Sequence, residues 1–344
     1  MSICLCNLSA DTALELAAQE GRELLLASPD ASTFVADMAQ VRETLGDFAE
    51  KLPYPIELLV DEQTKRRRSS NAVCHVWKGP LPKNGVFELH EGVYVSSPEF
   101  TLLQQASQLH QANLCQMLGR YLGTWTPAKD KPLGQDKRAP LTSFESINEF
   151  LSGVGHAWGK RNLKMAMAYT CEGAASAPET SLQLALTLPP ELHGLGIVQP
   201  IMNYEVELSA EAQRLYPHES IRIDLCWRNK GFGLEYQGEE HGNRLGEDCA
   251  RCFAARKMDY ELWFVAKEQL ESAVQMMDIG RELANRIDAD VDEETWPSEG
   301  EFQDLLDVLA GKEHPKPVGY AELRKRKAEL RHRERKTSRS TKHN

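Results

Sequence analysis

No apolar run in these 344 residues approaches the ~18–20 that cross a bilayer. The opening Met-Ser-Ile-Cys-Leu-Cys-Asn also lacks the basic start and apolar core of an export signal. A cytoplasmic protein with no membrane role is therefore expected. The eight cysteines are scattered along a long chain with no such signal, which excludes a disulfide framework and predicts mostly free thiols. Residues 1–50 lack the succession of compact helix, Gly turn and basic recognition helix that marks a helix-turn-helix DNA reader.

What is present is a globular composition, 41% hydrophobic and 26% charged, in a chain long enough for two modest domains. The net charge of −11 is unevenly spread. From Lys312 to Asn344 twelve Lys or Arg stand against four Glu, a local +8 that leaves −19 on the rest. An acidic body with a basic tail is not coated with nucleic-acid-binding charge, although local patches steer polyanions. The tail and the Lys65–Arg68 run have two readings: solvated arms, or contacts to nucleic acid or a protein partner.

Apolar periodicity predicts helices across 11–50, broken at Ser28-Pro29-Asp30. Strands follow at 55–60, 73–77, 86–90 and 93–95, and Ser97-Pro98 opens a helix to about Leu109. A helix at 114–121, a loop at 124–137 and helices at 143–152 and 160–168 complete an N-terminal α+β region, 1–170. The segment 171–285 reads helix (179–187), strands (201–208, 220–227, 231–237), helix (248–257), strand (261–265), helix (267–284). That order is an α/β core, a mixed central sheet flanked by helices. Residues 286–344 read as an acidic linker and a basic helical tail.

The second and third of these C-terminal strands each carry a carboxylate, Asp224 and Glu235, on either side of a Gly-bearing turn. Ionised acids within buried strands are costly unless paired or metal-bound. The bland reading pairs them with Arg222 or Lys230 at solvent-facing positions. The functional reading is a divalent-cation site, with Glu179 at a helix start as a third acid and Gln237 on the same strand face as Glu235. Phosphodiester hydrolysis uses such a set: two carboxylates hold Mg²⁺ or Mn²⁺, and a polar neighbour positions a water. Cys249-Ala-Arg-Cys252 has zinc-knuckle spacing but no second pair at a suitable distance.

The run Arg222-Ile-Asp224-Leu-Cys-Trp227, followed by Leu234-Glu235-Tyr236-Gln-Gly238 and His241, resembles the restriction-endonuclease-like PD-(D/E)XK superfamily. Within it, the likeness is to very-short-patch-repair-like endonuclease domains, over about 173–272. Ser176-Ala-Pro-Glu179-Thr and Asp248-x-x-Arg251 extend the likeness. It implies an endonuclease core in which Asp224 and Glu235 bind Mg²⁺ or Mn²⁺, Glu179 and Gln237 assist catalysis, and His241 and Arg251 contact phosphate. Arg256, on the same helix, is a further candidate phosphate contact. Gln237 stands where the superfamily carries Lys; its amide can still orient a water, and Lys257 and Lys267 are the candidates to supply the missing charge. Gly92-Val-Tyr-Val-Ser-Ser-Pro-Glu-Phe-Thr-Leu-Leu103 and the strands before it resemble AbiEi-type antitoxin proteins. Three functions stay open: a DNA endonuclease of phage defence or repair, an inactive nuclease-fold DNA-binding or antitoxin-like regulator, and an interaction module recruiting through its tail.

Overall fold

The computed structural model describes residues 2–66, 68–128, 131, 134–238 and 245–312. It is a mixed α/β protein in two units. The first comprises the described residues within Met1–Leu109 and Thr124–Lys164, the second those within His110–Gly123 and Met165–Asn344. No helix among the described residues is long and apolar enough to cross a membrane. All eight cysteines are free thiols.

In the first unit, β1 (Ile3–Leu5) leads into α1 (Asn7–Gln19), followed by β2 (Leu25–Ala27), α2 (Met38–Leu45), β3 (Ile56–Val60), β4 (Ala72–Val76), β5 (Val86–His90), β6 (Val93–Ser96) and α3 (Pro98–Gln105). The sheet order is β2-β5-β6-β1-β3-β4, with β1 parallel to β6 and antiparallel to β3. All three β1 residues are fully buried. A run this short carries no readable period, and β1 lies before the stretch read as helical; β2 lies within 11–50 and corrects the helical expectation there. Pairing to β6 and β3 supplies what local sequence does not. Ala10, Ala13, Leu14 and Ala17 give α1 a small-residue stripe against this sheet. Ser97 caps α3 by accepting the Phe100 N–H, with Pro98 in the first turn.

The expected loop at 124–137 contains a short antiparallel pair, β7 (Trp125–Pro127) and β8 (Gln135–Lys137), and α5 (Phe144–Gly153) follows. Arg138, directly after β8, turns inward to grip Glu15 of α1. Its Nε lies 2.8 Å from Oε2 and its Nη2 3.0 Å from Oε1, with the side chains 2% and 9% exposed. Nη1 donates to the Ala139 carbonyl. The guanidinium is thus held on three sides, which is the condition for a buried ion pair to offset its desolvation.

α6 (Lys160–Tyr169) carries the chain into the second unit. There α4 (Gln111–Leu122), α7 (Ala177–Thr187) and α12 (Glu299–Leu309) pack together. Gly119 allows the approach of α4 to α7, since a Cβ at that position would stand 2.5 Å from the Thr180 methyl. Residues 110–123 therefore belong with the C-terminal core and not with the N-terminal region in which they were expected. The linker expectation also fails at 299–309. A Ser298–Glu301 capping box starts α12, which buries Phe302, Leu305, Leu306, Val308 and Leu309. The basic tail beyond Lys312 lies outside the described residues.

The sheet of this unit runs β12-β11-β10-β9, from β9 (Ile201–Glu207), β10 (Ser220–Trp227), β11 (Phe232–Gln237) and β12 (Glu261–Ala266). The first three are antiparallel neighbours, and β12 lies parallel to β11 after the crossover helix α9 (Leu245–Lys257). α8 (Ala210–Gln213) precedes β10, and α9 packs on it. The helix expected at 267–284 is two, α10 (Lys267–Leu270) and α11 (Ala273–Ile287), because Ser272 starts a new cap by accepting the Gln275 N–H.

Replacing Arg138 with Ala leaves Glu15 charged and unpaired, and should cost about 3–5 kcal/mol in urea unfolding. Arg138→Met combined with Glu15→Leu should recover most of that loss. Equal destabilisation by the single and double variants would show that the ion pair is not the source.

Candidate functional site

The antiparallel register that pairs Leu225 with Leu234 sets Asp224 across from Glu235. On the other side of β10, pairing of Ile223 with Tyr204 and Leu225 with Met202 sets Asn203 across from Asp224. Three neighbouring strands thus contribute one row of polar residues, Asn203–Asp224–Glu235. Asn203 is held at φ 48°, a left-handed conformation that Asn tolerates better than most residues. Its amide donates to the Gly173 carbonyl (3.0 Å) and to Glu179 Oε2 (2.6 Å).

Glu179 is delivered by the first turn of α7. Ser176 caps that helix by accepting the Glu179 N–H and returns its hydroxyl to Glu179 Oε1 (2.9 Å). Oε2 also accepts the Ala175 N–H at 2.8 Å. Both oxygens of this 8%-exposed carboxylate are engaged. Capping alone explains an acid here, but its field reaches further: burial first, then the Glu179 charge, pushes Asp224 up to about 7 from an ordinary 3.8. The Tyr236 N–H, donated to Asp224 Oδ2 at 2.9 Å, and the nearby Arg251 oppose that shift.

Glu235 is 3% exposed. Burial, the facing Asp224 and, to a smaller extent, Glu179 raise its pKa well above the usual carboxylate value, while Arg251 pulls it down. Arg251 reaches it from α9, Nη2 to Oε1 at 2.8 Å, and the same nitrogen donates to the Arg222 carbonyl. Burial likewise leads the upward shift of Glu179, with its hydrogen bonds and Arg222 opposing. The result is a cluster of three carboxylates in a weakly solvated place, with one guanidinium bonded directly to it.

Gln237 ends β11 and donates its amide to Asp248 of α9 (3.3 Å). Its register partner is Ala266, so Lys267 follows one residue beyond. Lys257 is exposed in the last turn of α9, and Arg256 is exposed beside Glu261, whose pKa its charge helps to lower. Glu261 pairs with Phe232 at the far end of β11, so Arg256 is not brought to the carboxylates. Five residues separate it from Arg251, about 140° around a helix. His241 lies outside the described residues. Among the described residues no three His, Cys, Asp or Glu side chains are arranged to hold a metal ion, Cys249 and Cys252 included. Of the three acids, Glu235 is bonded to Arg251, Glu179 to the α7 cap and Asp224 to the Tyr236 N–H.

Asn203 is the contributor that sequence reasoning passed over. No spacing announces it, because its place opposite Asp224 follows from the β9–β10 register. No protein-family model, curated protein or solved structure matches the chain, so the chemistry rests on these residues.

The raised Asp224 pKa sets a sign for the pH dependence of stability. The unfolded chain releases this proton near 3.8, whereas the folded one keeps it to about 7. Stability from this group is complete below the lower value and is lost as pH rises through the upper one. Asp224→Asn keeps an acceptor for the Tyr236 N–H and removes the charge. It should be more stable than wild type by about 1–3 kcal/mol near pH 8 and show a flatter profile between about pH 4 and pH 8. Urea melts across that range test this, and parallel profiles would contradict it.

Proposed function

We propose that the second unit is a divalent-cation-dependent DNA endonuclease, with Asp224 and Glu235 as cation ligands. The observation that carries the reading is the polar row across three strands. It concentrates negative charge where the fold supplies less positive charge than the acids require, and functional sites are where such strained titrations cluster. The donors are hard oxygens, and one or two carboxylates completed by water suit Mg²⁺ or Mn²⁺. When bound, the cation supplies a water of lowered pKa and neutralises charge on the phosphoryl oxygens.

The protein's own groups have distinct parts in this proposal. Glu179 holds Asn203 and, through its charge, raises the affinity of Asp224 for a proton or a cation. Gln237, its amide nitrogen engaged by Asp248, uses its carbonyl oxygen to orient the attacking water. Arg251, exchanged from Glu235, becomes a phosphate contact, a role for which its planar fork is suited. The proposed setting is the cytoplasm of a bacterium, in phage defence or DNA repair, with the endonuclease-like core spanning about 173–272.

A second reading is favoured by two observations, the Arg251–Glu235 pair and Gln237 in the position of the superfamily Lys. Under it, the guanidinium permanently replaces the cation, and the domain is a nuclease-fold DNA-binding or antitoxin-like regulator.

Plasmid nicking in Mg²⁺ or Mn²⁺ separates the two. The nuclease reading expects cleavage that falls on the order of 100-fold or more in both Asp224→Asn and Glu235→Gln. Absence of cleavage by wild type, or equal cleavage by the variants, sinks it. A silent wild type that gains metal-dependent cleavage on Gln237→Lys would establish the regulator reading, with the carboxylate site intact.

A further inference from the structure

The first unit contains a cleft of about 720 Å³, far from minimal for a small-molecule site, at whose margin Trp158 stands 85% exposed. A tryptophan this open is unusual, and its loop is firmly held. Gly159, at φ +85°, lies so close to α3 that a Cβ would stand 2.4 Å from the Leu103 carbonyl oxygen. Asn162 donates to the Ala106 carbonyl at 2.8 Å, and Lys160 Nζ bonds the Val154 and Gly155 carbonyls. The indole is therefore presented on a fixed support. Trp77 supplies a second ring to the same cleft, with its N–H donated to the Pro80 carbonyl (3.1 Å) and its face set edge-on to Phe100 (4.8 Å, 81°).

The remaining lining is polar. Gln108 donates its amide to the buried Asn7 side chain (2.9 Å), which leaves its carbonyl oxygen as an acceptor. Lys78 and His156 line the cleft, and their side chains have no hydrogen bond or ion pair among the described residues. Asp61, on the turn leading to it, pairs with Lys65 at 2.7 Å, and Glu57 of β3 stands 2.7 Å from the His75 ring. In a chain of net charge −11, this unmatched lysine, next to Trp77 in sequence and lining the same cleft as Trp158, is a local site for an anion.

We infer that this cleft binds a nucleotide, with the base stacked on Trp158 and the phosphate at Lys78. A flat π-face, amide groups for base edges and one unmatched cation together fit that ligand, and base–indole stacking is tolerant of sequence. The ligand is either a free mononucleotide or a nucleotide within a single strand. The inference stands on the first unit and does not depend on the nuclease reading.

The test uses the full chain and a fluorescently labelled single-stranded oligothymidylate, read by anisotropy in EDTA. Trp158→Ala should weaken binding by about ten-fold or more, while Trp158→Tyr keeps most of it. Lys78→Gln should reduce the slope of log affinity against log salt by about 0.7. Displacement of the oligonucleotide by unlabelled dTMP identifies a mononucleotide site, and displacement by unlabelled strand alone identifies a single-strand site; either supports the inference. No binding, binding unaffected by Trp158→Ala, or displacement by a neutral maltooligosaccharide would overturn it.

Discussion

The burial of three neighbouring carboxylates, Glu179, Asp224 and Glu235, is the constraint around which the second unit is organised. Each acid is pushed toward its protonated form first by burial, and Asp224 and Glu235 also by their carboxylate neighbours. Such a cluster persists because the surroundings over-determine it. The α7 cap engages both oxygens of one acid, a β11 N–H fastens the second, and a guanidinium from α9 holds the third. Remove these supports and the strands would have every reason to carry apolar residues at the same positions.

The architecture follows from what that cluster needs. Antiparallel pairing of β9, β10 and β11 aligns Asn203, Asp224 and Glu235 in a row. The parallel return of β12 requires a crossover, and α9 is that crossover, which places Arg251 within reach of Glu235. The same helix brings Asp248 to Gln237. One connection therefore supplies both the compensating charge and the hydrogen bond that fixes the polar residue at the strand end. The first unit solves a related problem differently: Arg138 and Glu15 form a closed, bidentate pair with no excess charge, which suits a structural role.

Much of the fold was legible because local signals agreed with it. The β3–β6 strands carry β-branched and apolar runs between turn residues, Ser97-Pro98 and Ser176-Ala-Pro announce helix starts, and the β10–β11 hairpin shows its carboxylates and its glycine turn. The failures have physical causes. β1 is too short to show a period, and α12 has a Ser298–Glu301 box and a sound apolar stripe that the surrounding acidic charge obscured. The placement of α4 with the C-terminal core depends on Gly119 meeting Thr180, residues far apart in sequence.

Within the site, the sequence by itself determined the chemical types and their local phase. Asp224 and Glu235 had to sit in paired strands, Glu179 at a capped helix start, and Gln237 on the face of Glu235, because strand period and capping preferences are local properties. Only the tertiary structure decided the rest. Register chose Asn203 as the neighbour of Asp224, the crossover chose Arg251 and not Arg256 as the bonded cation, and packing raised the proton affinity of all three acids. Desolvation and charge proximity depend on which elements meet, and one-dimensional spacing does not carry that information.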